Sequence, residues 1–422
     1  DKTAPISVHL CDFPKVNEDW IDTKLEENME DVLNAVVIGR ACRNATNIKN
    51  RQPIGKMFIK APWKLDDFFT NVLDAGTDSV TKQAFFKARK NILPDAFKEL
   101  FLMTRDMVLN KNKIKRHKGY RILAIDGSEL RLDKTKENKD IFLPRNHSPE
   151  NKTNAEISLL YDVISHYVID AQIGYIGVCD REYAKKNLAH FSSICDEKDI
   201  VIFDRGYPSR DMIATLTGMG CKYLMRLQAS GFKGVKENPS NDFRITVSTK
   251  TDTYSVRVVR VILKSGEIET LITNLSEDEF SADDFLDLYF LRWGIETTYD
   301  TLKNKLLIEK FSGRSSVAVL QEYYAMMFVL NCIAAMSATV NRKLLSRKTD
   351  CKYQYRTNVN LMIGYFKYRL SAMLLFAGKA LDICRQLILL CLKQPVPMIK
   401  GRSAPRQEFS HQRKVFCPKY SI

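Results

Sequence analysis

Tyr289, Arg292, Glu296 and Lys303 stand at i, i+3, i+7 and i+14 in the run Tyr289-Phe-Leu-Arg292-Trp-Gly-Ile-Glu296-Thr-Thr-Tyr-Asp-Thr-Leu-Lys303. At about 100° per residue, a helix brings all four within a sector of about 60°. A phenol, a guanidinium, a carboxylate and an ammonium then share one stripe, and Leu291, Ile295, Leu302 and Leu306 are left to anchor it. One acid among cationic and hydroxyl donors suits a site that holds a metal ion and grips phosphates. The plainer account of the same residues is an exposed helix with an i,i+4 Arg–Glu pair, which contributes little.

Two isolated aspartates upstream strengthen the chemical account. Asp126 follows the apolar run Tyr120-Arg-Ile-Leu-Ala-Ile125, and Asp204 follows Asp199-Ile-Val-Ile-Phe203. Each is predicted to cap a buried strand, where a side chain reaches solvent from a rigid base. Hard oxygen ligands supplied by separate elements suit Mg²⁺ or Mn²⁺. Two such ions can activate an attacking oxygen and stabilise a leaving one. Either aspartate alone is equally a turn residue after a strand. The combination with Glu296, Arg292 and Lys303 is what the turn reading does not explain.

The elements that must position these groups read as α/β. Residues 1–115 have helical spacing and mixed charge, with a short helical pair around 77–90 that resembles a helix-turn-helix. Lys82, Gln83, Lys87 and Lys90 on its outward side are candidates for recognising a DNA end. Strands are expected at 120–125, 156–161, 167–173, 199–203 and 222–227, and helices at 185–197 and 209–218. Strands leading into helices, with acids at strand ends, give a mixed sheet flanked by helices over 116–228. Residues 229–280 read as a β-rich insertion, a meander of 242–248, 253–261 and 267–273. The core resumes over 281–340, where the polar stripe belongs to one helix from about 282 to 307. Residues 341–422 form a basic helical region with an extended or disordered tail from 394 onward.

The net charge of +15 is unevenly placed: 17 Lys/Arg against three acids follow Asn341, so the rest of the chain is nearly neutral. That asymmetry points to a polyanion, most simply nucleic acid. The ten cysteines form no CxxC pair and no zinc spacing, and Cys179, Cys221 and Cys332 sit among apolar residues as reduced core cysteines do. A reducing cytosol and no membrane are expected, the acidic, polar first residues giving no secretory signal. The apolar stretch 323–340, containing Asn331, reads as a buried core helix rather than a span.

In order and spacing, Asp126-Gly-Ser, Asp204-Arg-Gly-Tyr and Tyr289-x₂-Arg292-x₃-Glu296-x₆-Lys303 resemble the DDE transposases of bacterial insertion sequences, specifically the insertion-sequence-four family. The resemblance runs from about residue 70 to the tail, and the first 60 residues carry no matching motif. It implies an RNase H-like core that cuts and rejoins double-stranded DNA at terminal inverted repeats, in a cytoplasmic bacterial protein. Asp126, Asp204 and Glu296 would be the catalytic and metal-binding residues, holding two Mg²⁺ ions or Mn²⁺ in their place. Tyr289, Arg292, Lys303 and Arg205 would contact DNA phosphates, and a homodimer would pair two ends in a synaptic complex. Members of the family stack a flipped base on a tryptophan of the insertion. Here Trp20, Trp63 and Trp293 all lie outside it, which leaves Phe232, Phe243, Tyr254 or Phe280 for that role. A catalytically silent, domesticated DNA-binding protein and a nuclease that cuts without joining are the alternatives.

Overall fold

The computed structural model describes residues 87–109, 114–143, 153–228, 231–263, 266–346, 353–375 and 377–399. All of them belong to one compact unit, Phe69–Lys419.

A single eight-stranded sheet organises the described chain. β1 (Arg121–Leu132), β2 (Thr153–Asp162) and β3 (Tyr167–Tyr175) form an antiparallel meander. β4 (Asp199–Phe203) and β5 (Lys222–Arg226) continue from β1 in parallel. This is the RNase H-like arrangement, a mixed sheet with helices on its faces. All five residues of β4 are buried, as expected where parallel strands are covered on both faces.

Helices supply the cover. α1 (Pro94–Leu109) precedes the sheet, and α2 (Lys136–Phe142) follows β1. α3 (Asp180–Phe191) lies between β3 and β4, with a 3₁₀ turn at Ser192–Ile194. α4 (Arg210–Gly218) carries the chain from β4 to β5, as a parallel pair requires. Ser209 caps it, its side chain accepting from the Met212 amide.

Parallel pairing of β1 with β4 starts at Arg121 opposite Asp199. Those two side chains form a buried ion pair, 4% and 0% exposed, with Arg121 Nε 2.6 Å from Asp199 Oδ1. Arg121 also lies over the Phe191 ring and donates to the Ile194 carbonyl. A buried guanidinium so fully engaged fixes the register of the two strands that carry the aspartates.

The expected meander is present as β6 (Asp242–Ser248), β7 (Thr253–Ile262) and β8 (Ile268–Thr273). Rather than forming a separate layer, it extends the central sheet, β8 pairing antiparallel with β5. Buried Arg257 ties it in through an ion pair with Asp242 and bonds to the carbonyls of Ser276 and Phe280.

α5 (Asp284–Phe290) and α6 (Trp293–Asp300) lead through a π-turn, Thr301–Lys305, to the 30-residue helix α7 (Ser316–Leu345). α7 is the one helix among the described residues long and apolar enough to cross a membrane, and half of its apolar window is buried in the protein. Its interior polar residue is accounted for. Buried Asn331 accepts from the Val168 amide at 2.8 Å and donates to the Val168 carbonyl at 3.0 Å, clamping α7 to β3. Tyr323 donates to the Gln172 carbonyl on the same strand. α8 (Val359–Leu375) and α9 (Ala377–Lys393) complete the helical C-terminal region. The three-residue strands β9 (Gln354–Arg356) and β10 (Val396–Met398) pair across it.

Several sequence expectations are corrected here. β1 continues six residues past Asp126, so that aspartate lies within a strand and does not cap one. α3 begins at Asp180 instead of residue 185 and ends at Phe191. Residues 396–398, placed in the extended tail, form a paired strand. Cys221 is not a free cysteine but is bridged to Cys195, because the loops entering adjacent β4 and β5 meet at that end of the sheet. Cys179 is exposed rather than in the core.

Candidate active site

The β1–β4 register builds the site. Its last pair is Ala124 with Ile202. Two residues further on, the same alternation brings Asp126 level with Asp204, which immediately follows β4. The electrostatic consequence is visible at Asp126, whose carboxyl is pushed up to about 7 by burial and then by the Asp204 charge. The Gly127 amide and the Arg292 guanidinium pull the other way, and Glu296 adds repulsion. Three acids from β1, the β4 end and α6 therefore share one field.

Backbone amides hold two of them. Gly127 N donates to Asp126 Oδ1 at 2.9 Å, and Gly206 N to Asp204 Oδ1 at 2.7 Å. At Gly206, an added Cβ would lie 3.2 Å from that same Asp204 oxygen, close enough to press on the carboxylate. At Gly127, a Cβ would come within 3.0 Å of Asp180 Oδ1 and 3.3 Å of Glu156 Oε1.

The stripe residues are brought together, but not by one regular helix. Amides of Leu291, Arg292, Gly294 and Ile295 each reach back three residues, a 3₁₀-type tightening between α5 and α6. After Asp300 the ladder widens, Leu306 N reaching Thr301 O at 2.9 Å. The uniform rotation of 100° per residue thus fails twice along the predicted helix. Arg292 Nη2 donates to Glu296 Oε1 at 2.7 Å, and its guanidinium lies 5.8 Å from the Tyr289 ring centroid and 5.4 Å from that of Trp293. The Tyr289 hydroxyl and Arg292 Nε are buried without a partner. Burial pushes the Tyr289 phenol up to about 12. Lys303 Nζ donates to Ser128 Oγ at 2.7 Å, which ties the π-turn to β1 two residues past Asp126. Arg205 is exposed beside Asp204.

Four groups escaped the sequence reading. Tyr299 donates to the Asp126 carbonyl at 2.6 Å, locking α6 onto β1. Glu156 on β2 and Asp180 at the start of α3 add two carboxylates. Burial, then Asp180, pushes Glu156 up to about 7, and burial, then Asp204, raises Asp180. Tyr207 is 1% exposed, its hydroxyl has no partner, and it faces the charges of Asp126, Asp180, Asp204 and Glu156. Tyr207 was legible as the last residue of Asp204-Arg-Gly-Tyr, whereas Glu156 and Asp180 carry no local signal.

The donor set is oxygen-only and anionic, with like-charge repulsion that Arg292 and Lys303 only partly offset, which fits a hydrated divalent cation. Among the described residues, no three acidic, histidine or cysteine side chains converge tightly enough to chelate one ion directly. Glu296 is turned onto Arg292, so joining the aspartates at a cation requires it to exchange that partner.

Of the proposed end-recognition residues, Lys87 and Lys90 lie exposed on a helical turn, and Lys82 and Gln83 lie outside the described residues. Of the stacking candidates, Phe280 is fully buried and cannot meet a base. Phe243 lies 5.2 Å beneath Arg260, and Phe232 and Tyr254 are half-buried against the core.

The sequence model of the family described as Transposase DDE domain matches residues 117–332, the span that holds Asp126, Asp204, Glu296 and the stripe residues but not Lys82, Gln83, Lys87 or Lys90. Among curated proteins, the chain is 48% identical over 59 residues to an isoleucine–tRNA ligase of Clostridium kluyveri, covering 14% of this chain and 6% of that one. It is 32% identical over 152 residues to the corresponding ligase of Clostridium tetani, covering 32% and 14%. The chain thus spans only a small part of those relatives. Among solved structures, it is similar to a piggyBac transposase synaptic complex with hairpin DNA, at 14% identity and a TM-score of 0.40 over 82% of this chain and 75% of that one. A Mos1 transposase paired-end complex aligns at 12% identity and a TM-score of 0.18, over 53% and 63%.

Proposed function

Since the chain belongs to the Transposase DDE domain family, we propose that it is a metal-dependent DNA transposase of the insertion-sequence-four type, acting at terminal inverted repeats by strand cleavage and strand transfer. The observation that carries this reading is the register placing Asp126 level with Asp204, with Glu296 in the same field.

In this reading Asp126, Asp204 and Glu296 hold the divalent cations, Mg²⁺ or Mn²⁺, two per site. Bound there, such ions would polarise the attacking oxygen and offset charge on the leaving one. The rest is the work of the chain's own side chains. Arg292 and Lys303, set on either side of Glu296 along the chain, grip the phosphates flanking the scissile bond, with exposed Arg205 reaching the backbone from the β4 side. The unpartnered Tyr289 hydroxyl and Arg292 Nε are donors without a partner, which a phosphate oxygen can satisfy. When Arg292 turns to phosphate, Glu296 is released toward the aspartates, so DNA binding completes the acidic site.

Two displacements follow. Water forms a bond to phosphorus at the element's end as the bond to the 3′ oxygen breaks, leaving a 3′-hydroxyl and a 5′-phosphate. That hydroxyl then attacks a target phosphodiester, joining the strands and freeing a target 3′-hydroxyl. Two copies of the chain pair two ends, and the basic C-terminal region lies along DNA.

The test is a labelled duplex ending in the terminal repeat that flanks the gene, incubated with the full chain in Mg²⁺. Nicking at the repeat boundary, lost in Glu296→Gln while DNA binding persists, supports the reading. Binding without nicking in Mg²⁺ or Mn²⁺ supports a silent DNA-binding descendant instead.

A further inference from the structure

The acids at the sheet end outnumber the triad, and those left over are not matched by cations. Glu156 faces Glu129 across the β1–β2 ladder and approaches Asp180 beside the bare backbone of Gly127. Among the described residues, neither Glu156 nor Asp180 forms an ion pair, and Lys303 eases the Glu156 charge from a distance. On the same face as Glu156, Ser158 accepts from Asn187 of α3 at 3.0 Å, so this pocket of charge opens toward α3, while Ser128, on the Asp126 face, meets Lys303. Asp204, beyond the end of β4, faces both groups.

An independent observation points to a ligand there. The Tyr207 side chain is 1% exposed and packs its ring 5.3 Å from Phe203. Its hydroxyl donates to nothing, although four carboxylates face it. A buried donor without an acceptor is unfavourable by about 1–3 kcal/mol, and apolar packing alone would have been served by phenylalanine. A hydrated cation resolves both features, its charge answering the carboxylates and its water shell giving the phenol hydroxyl a hydrogen-bond partner.

We propose that a hydrated divalent cation is held between Asp204, Asp180 and Glu156, with the Tyr207 hydroxyl bonding to its water shell, so that the cation site extends beyond the triad onto the α3 side of β1. Asp180 and Glu156 are ligands through water, and Tyr207 is a positioning residue. The inference rests on the reading of Asp126 and Asp204 as cation-binding groups.

Calorimetric titration of the metal-free full chain with Mn²⁺ tests it, alongside thermal melting with and without Mn²⁺. Glu156→Gln and Asp180→Asn are expected to melt higher than the parent without metal, since like-charge repulsion is relieved. Both should lose at least about tenfold in Mn²⁺ affinity and most of the Mn²⁺-induced rise in melting temperature. Tyr207→Phe should melt higher than the parent without metal, since it removes the unpartnered hydroxyl, and should weaken Mn²⁺ binding several-fold. If all three bind Mn²⁺ like the parent while Asp126→Asn does not, the extension is wrong and the triad stands. If Asp126→Asn and Asp204→Asn also bind like the parent, the underlying reading fails with it.

Discussion

Asp126 and Asp204 reach the same level of the sheet because a parallel ladder anchored by the buried Arg121–Asp199 pair runs, in register, to Ala124 and Ile202. The pair at one end of these strands sets the spacing of the acids at the other. Removing Arg121 should therefore act on both stability and site. Arg121→Met leaves Asp199 charged and buried, and a loss of about 3–5 kcal/mol is expected in denaturant unfolding. The double change Arg121→Met with Asp199→Leu should recover most of it.

The raised carboxyls fix a pH dependence. Asp126 and Glu156 titrate near 7 in the fold, against 3.8 and 4.5 for the free groups. Folded-state values above the unfolded ones mean that the native protein binds more protons than the unfolded chain between those limits. Their contribution is full below about pH 4 and is lost as pH rises through 7. Metal-free protein should thus melt lower at pH 8 than at pH 6, so far as these groups decide it. Asp126→Asn should flatten that slope and raise stability at pH 8 by on the order of 2 kcal/mol.

Arg292 has two roles to separate. It neutralises Glu296 in the DNA-free protein and is expected to hold a phosphate in the complex. Arg292→Gln should reduce DNA cleavage about 100-fold or more while lowering stability by about 1–3 kcal/mol. Arg292→Lys keeps the charge but not the forked geometry, and should recover stability better than cleavage. Single-turnover cleavage and thermal melting on the same samples distinguish the two.

Lys303 bonds to a serine hydroxyl and not to an acid, so its charge is available to DNA. Lys303→Met should weaken binding to any duplex and lower the slope of log affinity against log salt by about one. Discrimination between terminal-repeat and unrelated DNA should change little, as a phosphate contact carries no sequence information.

Much of this site was legible in the sequence because the family's spacing is local. Tyr289, Arg292 and Glu296 fall within eight residues, and Asp204 follows the apolar run Ile200-Val-Ile-Phe203 of β4. The positions of the strands along the chain also followed from alternation and turn residues, including the meander that becomes β6 to β8. What was missed depends on pairing between distant segments. Asp126 looked like a strand end because apolar residues stop there, yet β1 continues by pairing with β2 up to Leu132 opposite Thr153. Glu156 and Asp180 meet only through the fold, approaching one another at Gly127 from β2 and α3. The continuous 282–307 helix failed because hydrogen-bond registry tightens before Ile295 and widens after Asp300, a change of local pitch that residue spacing does not encode.

The central claim is that Asp126, Asp204 and Glu296 act as one metal-dependent site for DNA strand transfer. Its most direct test is a joining assay that bypasses cleavage. A pre-cut terminal-repeat duplex bearing a free 3′-hydroxyl is mixed with target plasmid, Mg²⁺ and the full chain. Joined product from the parent protein, abolished in Asp126→Asn, Asp204→Asn and Glu296→Gln alike while each still binds the duplex, is the predicted result. Joining that survives any one of the three substitutions at parental rate would contradict it.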